Sequence, residues 1–216
     1  MYLPAHFEES RPAVLDALMR AHPLATIVTL TGAGMVANQV PLLAAAAASG
    51  RGILRGHVAR ANPMWRDALA GVETLAIFQG PQAYVSPSWY PAKREHGKVV
   101  PTWNYCTVHA WGLLRVHEDA QWIRALLDEL THVHETPMEA PWSVDDAPAP
   151  YVAALVAQVV GIEIEVSRFQ GKWKVSQNQP ARNRAGVMAG LAAGGADQAA
   201  IADLIGRHAP PDGGGA

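Results

Sequence analysis

The chain holds a single cysteine, Cys106, in 216 residues, which excludes an internal disulfide and points to a reducing compartment. Charge is sparse as well. Only 17% of residues are charged, and the net charge of -2 gives a field that neither attracts nucleic acid nor marks an acidic partner, so any anion site must be local. Long apolar runs are missing: "LLAAAAASG" is too short to cross a membrane and ends in glycine, and "MYLPAHFEES" lacks the basic and apolar regions of a signal peptide. A cytoplasmic protein is expected, with no membrane partner. No G-x-S-x-G elbow accompanies Ser86, Ser88 or Ser176, which argues against a hydrolase. His132, His134 and Glu135 in "LTHVHE" do not share a helix face at a metal-binding spacing, so no metal is expected there. Acids are absent between Asp16 and Asp67, an interval that carries Arg20, Arg51, Arg55, Arg60, Arg66, His22 and His57.

What is present suits one globular domain with a loose tail. Half of the residues are hydrophobic. Ser10 and Pro12 open a helix that runs to the His22-Pro23 pair. "LATIVTL", a "TGAG" turn and "MVANQVPLL" read as a hairpin, and "GILRGH" as a further strand followed by a short helix from Asn62-Pro63. "ETLAIFQG" and "QAYVSP" read as two strands joined through Gly80-Pro81, and "TVHAWGLLRVH" as a long strand in which Gly112 marks a bulge or a barrel bend. Trp122, Ile123, Leu126, Leu127 and Leu130 form one stripe of a helix from about Asp119 to His134. A helix over "APAPYVAALVAQVV", an alternating strand over "GIEIEVSRFQG" and two short helices around Gly194-Gly195 complete the chain. Strands linked by hairpins with helices between them give an α+β fold, an antiparallel barrel with helices packed outside.

Three stretches carry chemistry. "GAGMVA" matches a dinucleotide fingerprint, but a strand rather than a helix follows it and no ribose-binding acid is in reach, so a hairpin turn explains its glycines. "RGHVARANP" leaves a strand end and enters a helix start, where cations and backbone N-H groups can converge on a phosphate; the alternative is a solvated basic loop with partners elsewhere in sequence. "SPSWYPAKREHGKVVPTWNY" alternates Trp and Tyr rings with Ser86, Ser88, Thr102 and Asn104 around Lys93, Arg94 and Lys98. Such rings can fill a core or an interface; together with hydrogen-bonding groups and cations they also suit a phosphorylated planar cofactor, a nucleotide or a flavin. "GKWKVSQNQ" repeats the pattern with Lys172 and Lys174 around Trp173, and can complete the same pocket.

Taken together, "MYLPAHF", "HVARANP", "GPQAYVSPSWY", "KVVPTWNY", "LTHVHE" and "GKWKVSQNQ" resemble, in order and across nearly the whole chain, the PaiB-like family of FMN-binding negative transcriptional regulators. The resemblance implies a six-stranded-type FMN-binding split barrel, over residues 1-178, with a helical extension at 179-208 and a disordered tail at 209-216. It implies FMN as cofactor and a homodimer with flavin sites at its interface. It places His57, Arg60 and Asn62 on the phosphate side; Ser86, Trp89, Tyr90, Thr102, Trp103 and Asn104 as ring-edge donors and stacking surface; and Lys174 and Gln177 as further contributors, in part from the partner subunit. The function implied is repression of transcription. DNA contact finds little support in charge, because the second of the two final helices carries Asp203 and few cations. One alternative is an FMN-dependent oxidoreductase using NAD(P)H or a related small molecule, in which His57 or His109 could handle protons; another is a flavin or haem store without turnover.

Overall fold

A computed structural model describes residues 1–46 and 52–209 of the chain, in two compact units. In chain order the elements are β1 (Glu8–Glu9), α1 (Pro12–Ala21), β2 (Leu24–Thr31), β3 (Gly34–Pro41), β4 (Leu43–Ala46), β5 (Gly52–Ala59), α2 (Met64–Asp67) and β6 (Glu73–Val85). They continue with α3 (Ala92–His96), β7 (Thr102–His117), α4 (Ala120–Glu135), α5 (Ala149–Val156), β8 (Val159–Lys174), α6 (Ala181–Leu191) and α7 (Ala196–Arg207). One unit comprises Met1–Leu18, Gln79–Val108 and the chain from Gln170 onward; the other comprises Met19–Phe78 and His109–Phe169. The expected tail lies outside the described residues, apart from Ala209.

In the second unit the strands run β3-β2-β6-β7-β8-β5-β4, with every registered pair antiparallel. The two ends of that order are β3 and β4, which Leu42 alone separates in sequence. The sheet therefore closes on itself through one bent strand, and β3 with β4 counts as a single stave beside β2, β5, β6, β7 and β8. Closure removes the free edges that an open sheet would leave. Leu42, Ile27, Phe78, Ile162 and Ile164 are buried, as the alternation of their strands requires. On the outside, Asp119 caps α4 by accepting from the Trp122 N–H at 2.7 Å. Ile123, Leu126 and Leu130 of α4 are buried, packed with Val144, Val152 and Val156 or against Leu43.

Three features depart from the sequence reading. Gly80-Pro81 makes no turn: β6 runs unbroken to Val85, and Gly80 is needed because a Cβ there would lie 3.2 Å from the Cys106 carbonyl and 2.9 Å from Leu18. The basic stretch after Pro91 is helical, and Gly97 ends α3 in the left-handed region at φ 68. Pro87–Trp89 form a 3-10 turn rather than a strand end, because Ser86 caps it by accepting from the Ser88 N–H at 3.2 Å.

Gly112 marks a close approach of backbones: a Cβ there would sit 2.2 Å from the Glu165 carbonyl oxygen of β8. Gly161 serves α4 in the same way. A Cβ there would lie 2.2 Å from the Trp122 ring, which stacks on His117 at 3.9 Å and 5°. Gly112→Ala and Gly161→Ala are each expected to cost about 2 kcal/mol or more in urea unfolding, whereas Gly32→Ala, a site open to solvent, stays within about 0.5 kcal/mol.

Candidate functional site

In the first unit, the start of β7 lies beside the end of β8. Lys174 Nζ donates to Thr102 Oγ1 and, at 2.5 Å, to the Trp103 carbonyl. Burial, and secondarily the neighbouring Lys172 charge, push the Lys174 ammonium below the usual lysine pKa. Trp103 is 54% exposed and meets Tyr84 edge-on, ring centres 6.0 Å apart. Asn104 is buried and donates to Ser176 Oγ at 2.8 Å. Ser176 holds φ at 62, a left-handed conformation uncommon for a residue with a side chain. Gln177 fixes the same turn, donating to the Trp173 carbonyl at 2.5 Å and accepting from the Val175 N–H at 2.8 Å. Thr102, Trp103, Asn104, Lys174 and Gln177 thus belong to one local network.

Trp89 packs against α6 instead, in the turn that Ser86 caps and Tyr90 ends. A Cβ at Gly190 would lie 2.3 Å from the Trp89 indole, and one at Gly186 2.1 Å from the Trp89 carbonyl. One face of the indole therefore rests on the helix. Tyr90 is buried, which raises its phenol pKa. Lys93 donates to Ser88 Oγ at 3.0 Å, and Arg182 pairs with Glu95 at 2.7 Å.

The second unit holds His57, Arg60 and Asn62. His57 shares a face of β5 with Arg55, whose guanidinium pairs with Glu129 of α4 at 2.7 Å, so His57 lies on the helix-covered side. Its buried Nδ1 has no hydrogen-bond partner among the described residues, and burial lowers its pKa. Arg60 donates from Nε to the Ala157 carbonyl at 2.9 Å, from one terminal nitrogen to Glu118 at 2.5 Å, and from the other to the Val159 carbonyl at 3.2 Å. Asn62 caps the turn into α2 by accepting from the Met64 N–H at 2.9 Å, and its amide donates to Asn38 at 2.8 Å. Arg55 and Arg60, in the acid-free stretch, thus have their counter-charges far along the chain.

The sequence reading did not select Tyr84 as a site residue; it named Lys172 with Lys174 around Trp173 but gave only Lys174 a role, although Lys172 precedes it by two positions on a strand and so shares its face.

Two outcomes follow. The unfolded chain binds more protons than the folded one between His57's lowered pKa and its ordinary 6.5, so stability rises with pH across that window. Urea midpoints should fall as pH drops through 6.5 toward the lowered value, and His57→Gln should flatten that slope. Burial pushes the Cys106 thiol up to about 12, so a chromogenic disulfide reagent at about pH 8 should react with it only after denaturation.

Among solved structures, the fold resembles the FAD and heme binding protein from Mycobacterium smegmatis, with 17% identity and a TM-score of 0.54 over 77% of this chain and 73% of that one. The flavocytochrome Anf3 from Azotobacter vinelandii matches with 10% identity and a TM-score of 0.55 over 77% of this chain and 69% of its own. At those identities the likeness concerns the split-barrel fold alone. In sequence, an uncharacterized protein of Emericella nidulans is 32% identical over 241 residues, covering 95% of this chain and 96% of that one. The protease synthase and sporulation protein PAI 2 of Bacillus subtilis is 31% identical over 182 residues, 83% of each chain. Residues 1–168 match the family described as "Putative FMN-binding domain". The chain belongs to this PaiB-like FMN-binding family, built on the split barrel and with FMN as its cofactor.

Proposed function

We propose that the protein is a homodimeric FMN-dependent oxidoreductase whose flavin is held at the meeting of β7 and β8 in the first unit. The observation that carries this reading is Lys174, a partly buried ammonium with hydroxyl and carbonyl partners but, among the described residues, no carboxylate, next to the exposed Trp103 ring. That donor set suits a phosphorylated planar group. Lys174 and Thr102 would hold the phosphate, and Trp103 with Tyr84 would offer ring surface. When bound, FMN supplies reversible electron transfer through its isoalloxazine. Asn104 and Gln177 would act as positioning residues by holding the turn at Ser176. In this reading Arg60 and Asn62 fix the turn after β5, where their donors are already engaged.

A second copy is supported by the second unit's outer sheet face. Leu30 opposite Met35, and Val28 opposite Leu75, continue an apolar surface on which Leu30 and Met35 are exposed. A regulatory output is the second reading, favoured by the Bacillus relative whose name ties it to protease synthesis and sporulation. Against it stands the pairing of eight arginines with carboxylates within the chain, which leaves few of them to meet DNA phosphates.

Titration of flavin-free protein with FMN, followed by absorbance, is expected to give saturable binding that Lys174→Met weakens roughly tenfold or more, with Trp103→Ala weakening it as well. Addition of NADPH or NADH should bleach the flavin band, and air should restore it. Unaltered affinity in both variants would sink the site. A bound flavin that neither reductant bleaches, with salt-sensitive retention of specific DNA, would replace the enzyme reading by the regulatory one. Light scattering should give a dimer that Met35→Asp converts to monomer.

A further inference from the structure

Lys172 is 7% exposed, and among the described residues no carboxylate lies within ion-pair distance of its ammonium. Burying a cation without a counter-charge costs several kcal/mol, so proteins normally pair such a group. Acids lie close in sequence but go elsewhere. Glu8 is the register partner of Lys172 on β1 and is exposed; Glu9 is engaged by Arg11 at 2.5 Å and faces His208 at 3.7 Å. What surrounds the ammonium is one backbone carbonyl, that of Tyr2 at 3.0 Å, and two rings, Tyr2 at 5.7 Å and Tyr105 at 5.3 Å. An ammonium has three donors, and one of them is used.

Two lysines two residues apart on one face of β8 thus lack carboxylate partners, and Lys172 lies close enough to Lys174 to depress its pKa. A single phosphate on Lys174 and Thr102 leaves the charge of Lys172 unanswered. The Tyr2 carbonyl takes one donor of the ammonium, the Tyr2 and Tyr105 ring centres lie 5.7 Å and 5.3 Å from it, and two donors are left for an oxyanion.

We infer that Lys172, between Tyr2 and Tyr105, is a second oxyanion subsite that receives the carboxylate or phosphate group of a small substrate beside the flavin. This rests on the assignment of Lys174 to the flavin phosphate. The subsite gives the enzyme a preference for anionic over neutral substrates, and it makes Lys172 a specificity-determining residue.

Inorganic phosphate and benzoate, titrated calorimetrically into FMN-loaded protein, test it. At least one probe is expected to bind at one site per chain, with Lys172→Met weakening it roughly tenfold or more and Lys172→Arg retaining part of the affinity. Phosphate alone binding points to a phosphorylated substrate, benzoate alone to a carboxylate, and either supports the subsite. Absence of binding by both probes, or equal affinity in Lys172→Met, overturns it. The same titrations on flavin-free Lys174→Met separate the two assignments: weakened FMN with a retained probe is expected, and a lost probe overturns the independence of the subsites. If flavin binding fails altogether while the probe still depends on Lys172, the flavin assignment falls and the oxyanion site stands. Should Lys172→Met not fold, reductive methylation of the wild-type protein read by mass spectrometry replaces it. Saturating phosphate or benzoate should slow modification of Lys172 roughly tenfold, and a rate unchanged by both probes overturns the proposal.

Discussion

Closure of the sheet through Leu42 is the constraint on which the second unit depends. A bent strand serving as both the first and the last member of the order leaves no free edge. It also fixes which side chains point in. Ile27, Phe78, Ile162 and Ile164 fill the inside, so the outward set on each strand must be covered by helices or by another chain. Where α4 lies, Gly161 admits the Trp122 ring and Arg55 reaches Glu129. On the outward side of β2 and β3, Leu30 and Met35 stay exposed. Burying that surface against an identical copy is the simplest way to cover it.

Charge is distributed by a similar division. Arginines take carboxylate partners across the folded chain, including Arg168 with Glu73 and Arg115 with Glu165. Exposed pairs of this kind add little stability, but they cancel the local field. Lys172 and Lys174 are the contrast, because Lys172 is buried, Lys174 is partly so, and neither gains a carboxylate among the described residues. The cost of this burial, accepted in one place beside the Tyr2, Tyr105 and Trp103 rings, is the observation on which the proposed anion sites rest.

Much of the fold was legible because alternation and capping act locally. Ile162, Ile164 and Val166 alternate with Glu163 and Glu165 as a half-buried strand must, and Asp119 opens α4 where the apolar stripe begins. Gly80-Pro81 misled because glycine has two uses, turning a chain and letting another backbone approach, and only the position of Cys106 decides between them. The geometry of the ring-rich segment was not legible in its sequence. Its rings divide, Trp103 toward Lys174 and Trp89 onto α6, and only helix packing distant in sequence makes that division. The acid-free stretch showed the complementary limit: composition displays unpaired cations, while Glu118 and Glu129, which pair with Arg60 and Arg55, are supplied by tertiary structure.

The C-terminal helices bear on function through that packing. Val187 and Leu191 of α6 and Ile201 and Ile205 of α7 are buried, and Gly186 and Gly190 bring α6 against Trp89. Arg182 adds a tie to Glu95 of α3. On α7 the last-turn cation Arg207 is paired with Asp203 along the same helix. A recognition helix needs a free polar face with cations or amides directed outward. This pair instead uses its small residues to seat an indole, Arg182 to tie α6 to α3 and Arg207 to pair with Asp203, so it serves as scaffold for the 86–98 segment in the first unit. Repression through DNA contact would therefore have to use a different surface, whereas flavin binding requires nothing of these helices beyond the support they already give.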